Sequence, residues 1–258
     1  MRRFDADYLT ATREGMWESR EALSGLALAA HERVLDVGCG TGELTAVLRE
    51  ECPGEVVGVD ADAALLAHVP DPRVQGDATR LPFADDSFDL VVCQALLINL
   101  PDPAAAVREF ARVASDRVAA IEPDNSAVRV ESTVDNEATL AARARERYLD
   151  GIETDVTLGA GAADLLREAG LSAVSVDRYD HERTVAPPYS EGAVEAARRK
   201  VTGAAIDDDR ATMAGSQAEI DDLRADWRAM GRDAVAQMDA GEYRRREVVP
   251  FYVSVGCV

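Results

Sequence analysis

The segment VLDVGCGTGEL, residues 34–44, places one acid and three glycines directly after a short apolar run. Glycine carries no side chain, so a turn built from Gly38, Gly40 and Gly42 lets the main chain approach a ligand closely. A helix that begins after such a turn presents unpaired N–H groups, which suit an anionic group. The segment therefore predicts a main-chain binding site for a small polar ligand, with Asp36 just before it.

Two familiar phosphate-binding loops do not fit this spacing. The dinucleotide-binding fingerprint needs a third glycine at position 43, which is Glu43 in this chain. The nucleoside-triphosphate loop needs Gly-Lys followed by Ser or Thr, and that sequence does not follow. Glu43 therefore argues against a nicotinamide-dependent oxidoreductase, although this class of enzyme is kept as one of the alternative functions.

Polar residues also follow the next predicted strands. Asp60 comes about 20 residues after the loop, where an acid can accept hydrogen bonds from both ribose hydroxyls. It could instead cap the helix predicted at DADAAL. Asp77, with the backbone of Ala78, could read an exocyclic amine and a ring nitrogen, or Asp77 could form an Asx turn. Gln94 could lie in the crevice at the carboxyl ends of these strands, beside Asp60 and Asp77, or it could simply end its own strand.

A parallel sheet would bring these positions together. Short β-like runs alternate with helical patterns in the first half of the chain, which predicts a doubly wound α/β fold. The expected architecture is a Rossmann-like, seven-stranded, mostly parallel sheet with an antiparallel last strand. Such sheets bind ligands at the carboxyl ends of their strands. The predicted strands are 33–37, 55–60, 73–77, 88–93, 117–122, 172–179 and 248–258.

Residues 191–244 predict a helical insertion before the last strand. Apolar residues recur there at helical spacing and form a narrow stripe that needs a partner surface. We therefore expect these helices to form a cap that rests on the sheet domain and contributes to binding an acceptor, that is, the molecule on which the protein would act. The predicted organisation is an N-terminal helical segment or lid at 1–30, a binding domain formed by 31–190 and 245–258, and the cap at 191–244. The stripe consists of Met213, Ile220, Leu223, Trp227, Met230 and Ala234.

Taken together, four motifs resemble the class I S-adenosylmethionine-dependent methyltransferases, close to the group that methylates small molecules, including quinone precursors. The motifs are VLDVGCGTG, GVD, GDATRLPF and FDLVVCQALLINLPDP, and they lie between residues 34 and 122. The resemblance implies S-adenosylmethionine as the cofactor, S-adenosylhomocysteine as its product and a small molecule as the methyl acceptor.

The resemblance also implies roles for the matching residues. The methionine part of the cofactor would lie on the glycine loop, the ribose at Asp60, and the adenine at Asp77 and Ala78. Gln94 would face the methionine end or the transferred methyl group. Cys39 is interpreted as a small filler of the loop rather than a nucleophile. The full set implied is Asp36, Gly38, Cys39, Gly40, Gly42, Asp60, Ala61, Asp77, Ala78 and Gln94.

No catalytic residue is predicted. The family often reads HHLPDP where this chain reads INLPDP, so a base role of that histidine does not carry over to Asn99. Glu122 or Asp124 could bind or deprotonate an acceptor, and Asp124 could instead form a turn. Methyl transfer from a sulfonium is an in-line displacement that depends mainly on alignment, so a base is optional. A non-catalytic sensor or interaction protein that binds the cofactor is the alternative function.

The amino-acid composition limits the classes of molecule that the protein is expected to bind. A net charge of −20, from 48 acids and 28 bases, disfavours nucleic acid and predicts adaptation to high salt. The 4 cysteines and 3 histidines lack metal-ligand spacing, so no metal site is expected. No apolar stretch reaches the roughly 18 residues of a spanning helix, and no signal-peptide core follows MRRF. We therefore expect a cytoplasmic protein without a membrane partner; the sequence leaves its oligomeric state open.

Overall fold

A computed structural model describes residues 6–13 and 15–258, apart from the side chains of residues 7, 8, 10 and 11. The chain divides into two compact units. The first unit contains the chain up to Asp124, Thr154–Asp180 and Pro250–Val258, and the second contains Asn125–Glu153 and His181–Val249. The predicted insertion, 191–244, lies within the second unit.

Five parallel strands form the centre of the first unit. Their spatial order is β3 (Arg73–Gln75), β2 (Glu55–Asp60), β1 (Arg33–Val37), β4 (Phe88–Gln94) and β5 (Ala114–Pro123). Residues 251–257 of β8 (Arg245–Cys257) pair antiparallel with β5. The predicted doubly wound sheet with an antiparallel last strand is confirmed. The chain order reverses between β1 and β4, and a doubly wound sheet binds its ligand at such a point.

Helices flank this sheet, and its central strands β1 and β4 are buried along most of their length. Leu90, Val91 and Val92 of β4 are fully buried. The helix α4 (Pro103–Val113) begins with Pro103, and its preceding residue Asp102 caps it by accepting the Ala105 N–H at 2.9 Å. The other α-helices of the first unit are α1 (Ala6–Arg13), α2 (Glu43–Glu51), α3 (Ala63–Leu66) and α6 (Ala162–Glu168).

One strand was not predicted. The described residues form eight strands, and the additional strand, β6 (Arg129–Ser132), pairs antiparallel with residues 245–248 of β8. Its sequence RVES is short and has only half-buried and exposed positions, so it lacks the apolar alternation that marks a strand. The remaining strand is β7 (Ser172–Val185), which also pairs with β8.

The second unit has an apolar core of its own. Its helices are α5 (Glu137–Gly151), α7 (Glu191–Thr202), α8 (Ala204–Asp209) and α9 (Gln217–Asp239). The predicted apolar stripe is confirmed, because Ile220, Leu223, Met230 and Ala234 are buried in this core. A capping box at Ser216 starts α9.

A buried charge network lies beside that core. Glu137 is 1% exposed and accepts hydrogen bonds from Lys200, the only lysine of the chain, and from the Tyr243 hydroxyl at 3.0 Å. The Arg245 Nε lies 3.2 Å from the same carboxylate. Burial alone would raise the pKa of Glu137, but the neighbouring charges of Lys200 and Arg245 and the hydrogen bonds lower it. These contacts hold α5, α7 and β8 together within the second unit.

Candidate cofactor-binding site

The glycine loop is fixed by main-chain hydrogen bonds to the adjoining strand. The N–H groups of Gly38 and Cys39 donate to the Val59 carbonyl oxygen at 2.7 and 3.1 Å. Gly38, Gly40 and Gly42 have φ values of +71°, +57° and +91°, which only glycine adopts readily. A Cβ on Gly38 would also lie 2.7 Å from the Leu96 Cδ1. The loop therefore needs glycine for both its conformation and its packing.

Asp60 is bound directly to this loop. Its Oδ2 accepts the Gly40 N–H at 2.8 Å, and its Oδ1 accepts the Asp62 N–H at 2.8 Å. The helix α3 is capped by Asp62, whose Oδ1 accepts the Ala64 N–H at 2.8 Å. The alternative interpretation of Asp60 as the helix cap is therefore wrong. The structure brings the loop and the predicted ribose acid together.

Asp36 lies beneath the loop and is 1% exposed. Burial raises its pKa to about 6, while the Thr45 hydroxyl, which donates to Oδ2 at 2.6 Å, and the charge of Arg13 oppose that rise. Cys39 is also buried, and burial together with the charges of Asp36 and Asp60 raises the pKa of its thiol. The thiol packs with Leu66 and Val69, which agrees with the interpretation of Cys39 as a filler.

The end of the third strand comes next to Asp60, because the Gly76 N–H donates to the Asp60 carbonyl oxygen at 3.0 Å. Asp77 Oδ1 accepts both the N–H and the hydroxyl of Thr79 at 2.8 Å. This is the Asx-turn arrangement that the sequence left open. The role of Asp77 toward adenine stays a prediction.

The two alanines of the predicted set differ in their surroundings. Ala61 is exposed, and its carbonyl oxygen accepts a hydrogen bond from Gln75 at 3.0 Å. Ala78 is half-buried and packs against the core of the sheet. Both follow a strand at the carboxyl edge where Asp60 and Asp77 lie.

Gln94 ends β4 and is 4% exposed. Its Nε2 lies 2.9 Å from the sulfur of Met16, which belongs to the predicted N-terminal lid and is 1% exposed. The Tyr179 hydroxyl donates to the Met16 carbonyl oxygen at 2.8 Å. Gln94 therefore contacts the N-terminal segment and does more than end a strand.

Arg13 was not predicted as a site residue. Its Nη1 lies 3.4 Å from Glu43 Oε2, and it would lie 3.3 Å from a Cβ on Gly40. The Thr41 hydroxyl donates to the other oxygen of Glu43 at 2.6 Å. The sequence contained no signal for this contact, because an arginine in a polar N-terminal helix has no distinguishing neighbours. The guanidinium of α1 lies beside the glycine loop.

Glu122 has a different role from either one considered in the sequence. It is fully buried, and its carboxylate accepts the N–H groups of Leu96 at 3.0 Å, Leu97 at 2.9 Å and Ile98 at 3.4 Å. Burial raises its pKa to about 7, although these hydrogen bonds oppose the rise. Asn99 donates from Nδ2 to the Ala95 carbonyl oxygen at 2.7 Å. Glu122 and Asn99 therefore both bind the backbone of the 95–99 loop, which follows β4.

The site as a whole offers backbone N–H groups, small turns and mostly negative charge. Asp36, Asp60 and Glu43 supply three carboxylates, and Arg13 supplies a guanidinium. Such surroundings suit a ligand that carries cationic groups together with one carboxylate. Within residues 6–13 and 15–258, no group of three or more His, Cys, Asp or Glu side chains could hold a metal ion.

Comparison with known proteins agrees with this geometry. Residues 35–121 match a family model described as a methyltransferase domain. Over 107 residues the chain is 38% identical to a demethylmenaquinone methyltransferase of Lactiplantibacillus plantarum, covering 36% of this chain and 45% of the relative. It is 37% identical over 117 residues to a protein of the same name from Mycobacterium sp. strain KMS, covering 43% and 50%. The match thus spans about half the length of these relatives.

Solved structures show the same fold at low identity. The YcgJ protein of Bacillus subtilis has a TM-score of 0.52 at 18% identity, covering 92% of this chain and 98% of the other. A protein of Bacillus halodurans proposed to be a methyltransferase has a TM-score of 0.51 at 17% identity, covering 92% and 99%. The fold and residues 35–121 define a class I methyltransferase domain. The resemblance stated from the sequence is confirmed, and S-adenosylmethionine is the cofactor of this class.

No described helix is both long enough and apolar enough to cross a membrane.

Proposed function

We propose that the protein transfers a methyl group from S-adenosylmethionine to a small-molecule acceptor by in-line displacement. The observation that carries this proposal is the hydrogen bond of 2.8 Å between the Gly40 N–H and the Asp60 carboxylate. It joins the glycine loop, Gly38–Gly42, whose main chain would form a cradle for the ligand, to an acid at the end of the neighbouring strand. That combination suits a nucleoside with a polar substituent, and the matched domain gives the nucleoside its identity.

Each part of the cofactor has residues that fit it. Gly38–Gly42 and the N-terminus of α2 would hold the methionine part, and Asp60 would accept hydrogen bonds from the ribose hydroxyls. Asp77 and Ala78 would bind the adenine. Arg13 matches the carboxylate of the methionine part, because a guanidinium binds a carboxylate with two parallel hydrogen bonds.

The protein's own contribution to the reaction is alignment and exclusion of water. S-adenosylmethionine supplies the activated methyl group on its sulfonium. The fixed glycine loop, the buried Gln94 and the Met16 contact would restrict the position of the reacting end. Proximity and orientation of this kind contribute several kcal/mol, on the order of 7–11 at most. We propose no general base.

The acceptor is proposed only as a class. The relatives named above are demethylmenaquinone methyltransferases, so a quinol ring is the first acceptor to test. The role of residues 191–244 in acceptor binding, the cytoplasmic location, the lack of a nucleic-acid partner and adaptation to salt are parts of the same proposal. They rest on the charge and patterning of the sequence.

Calorimetry with S-adenosylhomocysteine tests the cofactor site. Asp60→Ala removes a charged acceptor of hydrogen bonds, so we expect affinity to fall by roughly tenfold or more. Asp62→Ala is the matched control, because it removes the acid two positions away that caps α3. The control should lose about 1 kcal/mol of stability and keep its affinity. Equal affinity of the Asp60 variant and the wild type would remove Asp60 from the site.

Turnover separates the enzyme from its alternative. Radiolabelled S-adenosylmethionine is incubated with a panel of quinols, thiols, amines and hydroxylated small molecules, and label in the organic product is counted. The proposal predicts transfer to at least one acceptor class. Tight binding of S-adenosylhomocysteine without transfer to any acceptor would favour the sensor.

A further inference from the structure

Glu122 and the 95–99 loop are not among the residues proposed to bind the cofactor. The carboxylate is fully buried at the end of β5, and its partners are backbone N–H groups of Leu96, Leu97 and Ile98. The Cys93 thiol is a further donor at 3.7 Å. Burying a carboxylate is costly, and the three backbone contacts are all directed at a single loop.

The loop itself is strained and held from several sides. Ala95 has a φ of +48°, a value that a side chain disfavours. The Ala95 N–H donates to the Ile121 carbonyl oxygen at 2.9 Å, and the Ala95 carbonyl oxygen accepts from Asn99 at 2.7 Å. A strained residue persists where its surroundings fix it, and such residues cluster at functional sites.

The loop reaches the cradle through one side chain. Three atoms of Leu96 lie 2.7, 3.0 and 3.1 Å from the position that a Cβ on Gly38 would take. The Leu96 side chain therefore covers Gly38, the first glycine of the glycine loop. The Leu96 backbone is one of the groups that Glu122 binds, so the carboxylate and the cradle are separated by a single residue.

We propose that Glu122 is a positioning residue, whose carboxylate fixes the 95–99 loop so that Leu96 shapes the methionine side of the cofactor cradle. The inference rests on the proposed function, since it assigns a purpose to a contact beside the proposed cofactor loop. Gln94 directly precedes the loop, so the same carboxylate also fixes the chain that follows that residue. Glu122 itself is predicted to touch neither cofactor nor acceptor.

Two ligands that differ only in the methionine part test this role. S-adenosylhomocysteine carries the amino-acid chain, and 5′-methylthioadenosine lacks it. Glu122→Gln keeps the size of the side chain but places an amide N–H₂ where a carboxylate oxygen accepts a backbone N–H. We expect roughly tenfold weaker S-adenosylhomocysteine binding and little change for 5′-methylthioadenosine. A general loss of stability would weaken both ligands in the same proportion.

Amide hydrogen exchange supplies the second measurement. Exchange at Leu96, Leu97 and Ile98 should become faster in Glu122→Gln. Glu137→Gln is the matched control, because Glu137 is also a buried, hydrogen-bonded carboxylate but belongs to the second unit. It should leave exchange at these three amides and the ratio of the two affinities unchanged.

If Glu122→Gln does not fold, Leu96→Ala tests the same link. It keeps the backbone contacts of Glu122 and removes the side chain that covers Gly38, so the same selective loss of S-adenosylhomocysteine binding is expected. Wild-type values of both affinities in either folded variant would overturn the inference. Wild-type protein that binds neither ligand would instead refute the proposed function, and the inference with it.

Discussion

Glu122 and Asp36 are both buried carboxylates of the first unit, but their partners differ. Asp36 accepts a hydroxyl hydrogen bond from Thr45, and its pKa is raised by burial to about 6. Glu122 accepts main-chain N–H groups, and its pKa is raised by burial to about 7. Both residues therefore bind a proton more tightly in the folded protein than in the unfolded chain, which links folding to pH.

The pH dependence of the free energy of unfolding should show the raised pKa of Glu122. Its ordinary pKa is 4.5 and its folded value is about 7, so its contribution to stability is complete below pH 4.5 and is lost as pH rises through 7. The difference amounts to about 3 kcal/mol. The free energy of unfolding of the wild type, minus that of Glu122→Gln, should fall by about that amount between pH 4.5 and 8. Denaturant titrations at several pH values measure it.

A second glutamate provides the control of opposite sign. Glu109 has a pKa lowered mainly by its hydrogen bond with Arg112, so its contribution is present at neutral pH and is lost as pH falls. The wild type minus Glu109→Gln should therefore show no decline between pH 5 and 8. A flat difference for Glu122→Gln over this range would contradict the assignment of its raised pKa.

The glycine loop, at the scale of the element, combines two separate requirements. Gly38→Ala would place a side chain at a φ of +71° and against Leu96. Gly170→Ala is the matched control, because Gly170 has a φ of +93° and no atom within 4 Å of its Cβ position. The control should cost about 1–2 kcal/mol and keep ligand binding. Gly38→Ala should cost more and abolish S-adenosylhomocysteine binding.

Thermal unfolding and calorimetry on the two glycine variants measure these effects. If both variants lose the same stability and both bind S-adenosylhomocysteine normally, the contact between Leu96 and the loop has no role in the site.

The elements of the first unit were predictable because each follows from local sequence. The strands β1 and β2 have the bounds that the sequence predicted, 33–37 and 55–60, and the glycines mark the turn that follows β1. The strand β6 was missed because its few residues show no alternation. The contact of Glu122 with the 95–99 loop could not be predicted either, since it joins residues about 25 positions apart and depends on the pairing of β4 with β5.

Asp60 shows the same limit within the site. Sequence placed it correctly at the end of β2, but left its two roles undecided. The hydrogen bond to Gly40, 20 positions away, excludes the role of helix cap. Arg13 was missed because its interaction with Glu43 depends on where α1 packs, which no local pattern encodes.

In the molecule as a whole, apolar cores, buried charge networks and exposed ion pairs contribute differently to stability. Each unit has its own apolar core, and the second adds the buried network around Glu137. Removing one partner from such a network typically costs about 3–5 kcal/mol, whereas an exposed ion pair contributes about 0–1 kcal/mol. Most of the ion pairs of the described residues join an arginine to an acid with at least one of the two side chains exposed, as in Arg199 with Asp208, so salt would remove little stability through them.

The excess of acids should therefore decide how the protein responds to salt. Its 48 acids and 28 bases leave a net charge of −20, and repulsion among these carboxylates opposes the compact state. Raising KCl from 0.1 to 1 M shortens the screening length from about 10 to about 3 Å. We expect the midpoint of thermal unfolding to rise by about 5 °C, which corresponds to roughly 2 kcal/mol for a chain of this size. Equimolar sucrose is the control, since it is excluded from protein surfaces but does not screen charge. A midpoint that stays constant or falls in KCl, or one that rises equally in sucrose, would show that repulsion between carboxylates does not limit stability.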